Sequence, residues 1–230
     1  MTDDATPLSP ATGWGVLHLF CPADAGIEAQ AVRSAVKAAR DDEHQVIAAT
    51  ILGHKADLAF MALGPDLRRL RRLQTELQQA GLRFTTSYVS LTEVSEYAAG
   101  LPEEMRQARL YPRLPPDGMP AMCFYPMSKR RVAGDNWYTL DYESRLRLMQ
   151  GHGAVGREFR GRVLQLITGS TGLDDWEWGV TLFAVNPDDL KECVYRMRFD
   201  EASARFADFG PFFTGIVGAL DDVLEQAGIR

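Results

Sequence analysis

No stretch of this sequence approaches the run of roughly 18 apolar residues that a membrane-spanning helix needs, so no membrane span is expected. A positive excess is missing too. The net charge is −6, which gives no reason to expect nucleic acid as a partner. Cysteine is sparse: Cys21, Cys123 and Cys193 lack metal-site spacing and leave an odd one over, a usage that fits a reducing, cytoplasmic compartment. No glycine-rich dinucleotide fingerprint follows a strand, so a nicotinamide or flavin dinucleotide is not expected. The first residues, Met1 to Thr12, have neither a basic start nor an apolar run, which excludes the pattern of a signal peptide. Disorder is expected there.

What is present is an ordinary globular composition, 46% hydrophobic and 24% charged over 230 residues. Trp14 to Phe20 reads as a strand. Residues 26–40 place Ile27, Ala31, Val32, Ala35, Val36 and Ala39 on one helical face. Strands follow at 44–52 and 56–63, then a helix from Pro65 whose Leu67, Leu70, Leu73 and Leu77 point inward, and a strand at 84–94. The Arg68-Arg69-Leu70-Arg71-Arg72 run reads as that helix's solvated face. This order is β-α-β-β-α-β, the ferredoxin-like arrangement. After a proline-containing linker the order repeats: a strand at 122–127, helix at 139–160, strands at 162–169 and 177–185, helix at 188–197 and a strand near 204–209. The tail 212–228 looks helical. The expected organisation is therefore a disordered N-terminus (1–13), an N-terminal half (14–97), a linker (98–120) and a C-terminal half (121–230). The fold class is α+β: two tandem ferredoxin-like units whose sheets bury their open faces against each other as a dimeric α+β barrel within one chain.

Within the second half, Cys123 to Gly161 concentrates the chemistry-bearing residues. An apolar strand ending at Pro126 leads to Lys129, Arg130 and Arg131, then to the turn cluster Gly134-Asp135-Asn136. Tyr142, Leu146 and Met149 recur at helical spacing, and Gly151 is expected to stop that helix. His152, the one histidine of the C-terminal half, then lies between two glycines, open to a large flat ligand. His18, His44 and His54 have no acidic or histidine partner at ligand spacing and read as structural or exposed.

The segments Tyr125-Pro-Met-Ser-Lys129, Asn136-Trp137-Tyr138, Gly151-His152-Gly153, Ile167 to Val180, Tyr195-Arg-Met-Arg-Phe-Asp-Glu201 and Phe209-Gly-Pro-Phe-Phe213 closely resemble the coprohaem decarboxylases. These are the haem-biosynthesis branch of the chlorite dismutase superfamily. The resemblance covers nearly the whole second half and agrees with the fold read from element order. It implies peroxide-dependent oxidative decarboxylation of two propionates of Fe-coproporphyrin III, the substrate and redox centre, to the vinyl groups of haem b. Hydrogen peroxide is the oxidant. It also implies a homopentamer.

By that resemblance His152 is the iron ligand, and Tyr125 is the catalytic radical site, taking a β-hydrogen from the adjacent propionate. Lys129 positions the reacting carboxylates. The cofactor-binding set is Arg109, Tyr125, Pro126, Met127, Ser128, Lys129, Gln165 and Ser203. Arg109 can grip a carboxylate in bidentate fashion, whereas Lys129 acts as a compact charge. Met149, Leu164 and Ile167 are available for an apolar wall, and equally for an ordinary core. The alternatives are a chlorite dismutase-like or peroxidase-like haem enzyme, or a haem carrier or sensor that performs no chemistry. A carrier would need neither Tyr125 nor Lys129. Gln165, thirteen positions after His152 (165 − 152 = 13), stands where chlorite dismutases carry a distal arginine. Glutamine offers hydrogen bonds without a fixed charge to hold an anionic oxidant. With chlorite, the porphyrin-loaded protein is therefore expected to bleach and release little oxygen. An oxygen electrode checks this, and sustained evolution would favour the chlorite dismutase-like alternative.

Overall fold

Alternation of apolar side chains to both sides of β1 (Gly15–Cys21) shows why this strand lies at the centre of a layered structure. All seven of its residues are buried. In the computed structural model, which describes residues 6–98 and 100–230, the N-terminal half continues as α1 (Ala29–Asp41), β2 (Gln45–Ile51), β3 (Leu58–Gly64), α2 (Leu67–Gln79) and β4 (Thr86–Thr92). The stretch 98–120, expected as a linker, carries a helix of its own, α3 (Glu103–Leu110). The disorder expected at the N-terminus falls partly on Met1–Ala5, outside the described residues. Leu8 beyond them is tied down: its N–H donates to Asp66 and its carbonyl accepts from Leu67.

The second half runs β5 (Ala121–Lys129), the small hairpin β6 (Arg131–Val132) and β7 (Asp135–Asn136), α4 (Tyr142–Arg157), β8 (Val163–Gly169), β9 (Trp178–Ala184), α5 (Pro187–Met197), α6 (Glu201–Phe206), β10 (Ala207–Phe209), β11 (Phe213–Gly218) and α7 (Leu220–Gln226). Strand order is β10-β5-β11-β2-β3-β1-β4-β8-β9, and β9 pairs back onto β5. Every ladder is antiparallel. Each half thus has the ferredoxin-like order 4-1-3-2, and the halves join at β2–β11 and β4–β8 to close a barrel. Closure leaves no long free edge.

Two differences from the sequence reading matter. The tail 212–228 supplies β11 before its short helix, and the strand expected near 204–209 is the three-residue β10, preceded by α6. Phe213-Thr-Gly-Ile-Val-Gly is rich in β-branched residues and begins with alternating burial, so its apolar content fits a pleat, not a helical stripe. The strand expected to end at Pro126 runs on to Lys129. Proline is tolerated because its missing N–H falls at the break between β10 and β11, where Gly210 donates to the Pro126 carbonyl.

The barrel interior is filled from both halves by Val16, Phe20, Ile47, Met61, Phe124, Leu166, Phe183 and Phe213 among others. His18 lies there too, against Phe124 (centroids 4.2 Å apart), and burial lowers its pKa to about 3, so it is neutral. Its Nε2 lies 3.0 Å from the Thr181 hydroxyl. Outside the barrel, α1 and α2 cover the N-terminal sheet. Arg69 departs from the expected solvated face: it is buried and pairs with Asp42 at 2.7 Å and Glu76 at 3.2 Å. A separate outer cluster, Cys123, Tyr125, Phe159, Val163, Val180, Leu182, Leu190 and Cys193, covers the C-terminal sheet.

Gly215 is paired on both edges at the β2–β11 seam, and a Cβ there would lie 2.4 Å from the Thr50 carbonyl oxygen. That neighbour is backbone and cannot turn aside. Gly215→Ala is expected to lower stability by about 1–3 kcal/mol, read as a lower urea midpoint. An unchanged midpoint would mean that the seam contributes little.

Candidate functional site

Strand parity divides the Tyr125-to-Lys129 motif. Phe124 points into the barrel, whereas Tyr125 and Met127 join the outer cluster beneath the C-terminal helices. Lys129, two further positions along, shares that outer face. The side chains of Pro126 and Ser128 turn to the strand's other side. A Cβ on Gly210 would meet the Pro126 ring at 2.7 Å, and the Ser128 hydroxyl accepts from the Glu177 N–H. These two residues brace the strand's other side.

Tyr125 is buried, stacked on Phe212 with centroids 4.4 Å apart and near Phe209 at 5.8 Å. Burial, reinforced by the Cys123 and Cys193 thiols and opposed by Arg198, pushes its phenol far above the ordinary range. The phenolate form is therefore disfavoured here. Cys123 and Cys193 are buried free thiols whose own pKa values are raised to about 11, chiefly by burial, so neither is poised as a nucleophile.

His152 lies inside α4, not beyond its end. Helical φ/ψ is available to glycine as to other residues, so Gly151 and Gly153 weaken the helix without stopping it. The positive-φ glycine is Gly161, after the last turn (φ 82°). No residue of α4 is fully buried, and Tyr142 is exposed, so the helix packs less completely than its spacing suggests. Its inner face is left for something other than core.

The histidine's partner comes from 48 residues away. Asp200 caps α6, one oxygen accepting from the Ser203 N–H at 3.1 Å; the other accepts from His152 Nδ1 at 3.0 Å. The Ser203 hydroxyl lies 3.3 Å from the same nitrogen. Burial alone would raise the Asp200 pKa, but the hydrogen bond and charge of His152, with Ser203, hold it below the usual carboxylate range. In a neutral imidazole, donation from Nδ1–H to Asp200 leaves the lone pair on Nε2. Among the described residues no three His, Cys, Asp or Glu side chains converge as a bare metal site. A single imidazole with a free Nε2 suits an iron that brings its own macrocyclic ligands.

Lys129 lies 4.1 Å from the ring centre of buried Trp137. Burial lowers its pKa to about 8, with Asp200 and Glu177 acting the other way. Glu177 is buried as well, accepting from the Lys129 backbone N–H at 2.7 Å and pairing with Arg131 at 3.3 Å. Lys129 thus lies within electrostatic reach of the His152–Asp200 pair, a link that the sequence did not indicate.

A cavity of about 420 Å³ adjoins these residues, lined by Arg130, Arg198, Ser203, Ala204, Asp208, Phe209 and Phe212 among others. Arg130 is spent on Asp208, at 2.9 Å, and on neighbouring carbonyls. Arg198 sits 4.4 Å from the Phe209 ring centre and has no carboxylate partner among the described residues. Sequence reasoning singled out neither Arg198 nor Asp200, although both lie in the Tyr195-to-Glu201 segment. The Asp-x-x-Ser capping pattern was a signal for Asp200.

Gln165 faces outward from β8, its amide 3.4 Å from the Gly156 carbonyl, one turn along α4 from His152. Ile167 shares that face and is exposed. Leu164 does not belong to an outer wall: it packs against the barrel interior, as alternation requires. Met149 is half-buried on α4. Arg109 lies at the exposed end of α3, which is held to β4 where the Thr92 hydroxyl donates to the Leu110 carbonyl. Among the described residues no hydrogen bond or ion pair joins Arg109 to His152 or Tyr125.

Known proteins share both the sequence and this architecture. Residues 26–218 match the chlorite dismutase family model. A coprohaem decarboxylase of Staphylococcus carnosus is 46% identical over 177 residues, 73% of this chain and 70% of that protein. One of Thermus thermophilus is 46% identical over 171 residues, 72% and 68% of the two chains. Among solved structures, a haem-binding protein from Thermus thermophilus superposes with a TM-score of 0.86 at 37% identity, over 97% of this chain and 99% of that one. A chlorite dismutase variant from Candidatus Nitrospira defluvii gives 0.78 at 22% identity, over 95% and 96%, a likeness of fold.

The lowered Lys129 pKa predicts a pH effect of definite sign. Between about 8 and 10.5 the folded lysine is neutral while the unfolded one is charged. The unfolded state binds more protons, so this residue's contribution to stability rises with pH through that window. Urea midpoints at pH 8 and 10 should climb more in the parent than in Lys129→Met. Equal changes would mean that Lys129 is solvated.

Proposed function

The chain belongs to the chlorite dismutase family, and from that premise we propose that it is a coprohaem decarboxylase, converting Fe-coproporphyrin III to haem b with hydrogen peroxide. Each propionate loses a β-hydrogen and its carboxylate as carbon dioxide, leaving a vinyl group. The two electrons released reduce one peroxide, which with two protons becomes two waters. The observation that carries this reading is an imidazole paired with Asp200 and a buried, unionised tyrosine whose respective neighbours, Ser203 and Phe212, line one outer cavity.

His152 holds the substrate's iron, and Asp200 fixes its tautomer and increases its donor strength. Ser203, Lys129 and Arg198 supply hydrogen-bond donors and positive charge for carboxylates, and Arg109 is a further such contact by its motif. Met127, Phe209 and Phe212 offer apolar surface. Tyr125 is the hydrogen-abstracting residue. A phenol kept protonated by burial gives up its proton and electron together, which is the form needed to take a hydrogen atom in return. Lys129 is a positioning residue. Its ammonium sits under Trp137 and near Asp200, so it orients a carboxylate while also biasing the charge beside His152. Gln165, held to α4 one turn from His152, carries no fixed charge, which favours this reading over chlorite chemistry.

Free, buried thiols support a reducing cytoplasmic setting, and no helix among the described residues is long and apolar enough to cross a membrane. A homopentamer is part of the same proposal, supported by family membership.

The test is incubation with ferric coproporphyrin III and stoichiometric peroxide, followed by porphyrin mass. The parent should lose two carboxylates. Tyr125→Phe keeps the ring and its stacking on Phe212, costing at most about 0.5–1.5 kcal/mol of hydrogen bonding. It should bind coprohaem but leave the propionates intact. Haem b formed at the parent rate would show that the radical lies elsewhere.

A further inference from the structure

The C-terminal site has an aromatic neighbour chain that the decarboxylation itself does not use. Trp137, buried against Lys129, lies 6.3 Å edge-on from Tyr97, and Tyr97 stacks 5.9 Å from Tyr142, whose ring is exposed at the start of α4. Tyr97 precedes the α3 segment in the first half of the chain, whereas Trp137 and Tyr142 lie in the second. Its hydroxyl accepts from Arg145 Nε at 2.9 Å, and Arg145 in turn reaches the Glu96 carboxylate at 3.9 Å. Burial, together with that carboxylate, raises the pKa of the Tyr97 phenol to about 12. The Tyr142 hydroxyl donates to the Glu96 backbone carbonyl at 3.4 Å. Three oxidisable rings therefore run in sequence from Lys129 to solvent, and the hydroxyl of the middle one shares Arg145 with the Glu96 carboxylate.

We propose that Trp137, Tyr97 and Tyr142 form an exit chain that carries surplus oxidising equivalents from the coprohaem site to the protein surface. This rests on the decarboxylase reading, in which peroxide oxidises the bound substrate. An oxidising equivalent that does not reach a propionate would otherwise attack the porphyrin or the pocket. Trp137 gives one electron inward and is refilled by one from Tyr97, whose phenolic proton passes to Glu96. Tyr142 then refills Tyr97, which recovers its proton, while the Tyr142 proton leaves to water. The net transfer is one electron inward and one proton outward to solvent. A small one-electron reductant, such as ascorbate or a thiol, restores Tyr142. Lys129 beside Trp137 disfavours positive charge on the indole, so the oxidised state passes on instead of resting next to the substrate. It settles on tyrosine, where the proton can leave.

The experiment treats the coprohaem-loaded protein with excess hydrogen peroxide and maps oxidation of Trp137, Tyr97 and Tyr142 by peptide mass spectrometry. Freeze-quenched electron paramagnetic resonance with ring-deuterated tyrosine gives a second readout. The parent should carry marks on Tyr142 and a tyrosine-type radical. Tyr97→Phe preserves the ring contacts but removes the phenol. Marks on Tyr142 should fall severalfold, while Trp137 oxidation and porphyrin bleaching increase. Tyr142→Phe should leave the radical on Tyr97. Equal marking of Tyr142 in the parent and Tyr97→Phe would overturn the chain, as would equal marking by peroxide without porphyrin. Porphyrin mass from the same samples separates the two readings. Vinyl product with Tyr142 unmarked overturns the exit chain alone, and absence of vinyl product in the parent overturns the decarboxylase assignment.

Discussion

The alternation of side chains along β5 is the constraint on which both the barrel and the site depend. This strand is hydrogen-bonded on both edges, to β9 on one side and to β11 and β10 on the other. Its pleat sends Met122 and Phe124 into the interior shared by both halves, and Cys123, Tyr125 and Met127 to the outer helical layer. A slip of one residue would put Tyr125 among the interior aromatics and Phe124 in the pocket. Burial on both faces makes that slip costly. The position of the tyrosine is thus secured by the same packing that closes the barrel.

Charge is arranged around Asp200. Its two oxygens link a helix N-terminus to a histidine of another helix, and Lys129 balances the carboxylate from the strand side. Removing one member would leave the others buried without compensation, which is why such groups act as a set. The orientation of His152 therefore depends on α6 docking as much as on α4.

Helix α4 is less well packed than its neighbours. Without one fully buried residue and with three glycines, it gains little from core contacts of its own. Its ends are held instead: Asp141 caps the start through the Ser144 N–H, and Phe159 anchors the turn after it in the core. A helix held at its ends and open along its inner face can admit a flat ligand without dismantling a core. The aromatic contacts of Tyr97 with Trp137 and Tyr142 add a tie from the first half of the chain.

Much of this was legible in the sequence because much of it is local. Period-2 and period-3.6 patterns located β1 to β4, α1, α2 and α5 within a few residues. The repeated element order together with the motifs led to the barrel and to Tyr125, Lys129 and His152 as residues of interest. Local pattern failed where long-range pairing decides. Strand β11 exists because β2 and β5 flank it, and helix α4 continues through Gly151 because nothing there forces a left-handed turn. Parity set the side chains of Pro126, Ser128 and Leu164 on the barrel side of their strands. The sequence by itself marked Tyr125, Lys129 and His152 as candidates, through the motifs in which they stand. Only the tertiary structure decided that Asp200, 48 positions from His152, hydrogen-bonds to its Nδ1, that Phe212 stacks on Tyr125 with Arg198 within electrostatic reach, and that Arg69 is buried. Hydrogen bonds and desolvation act through space, and no spacing along the chain encodes them.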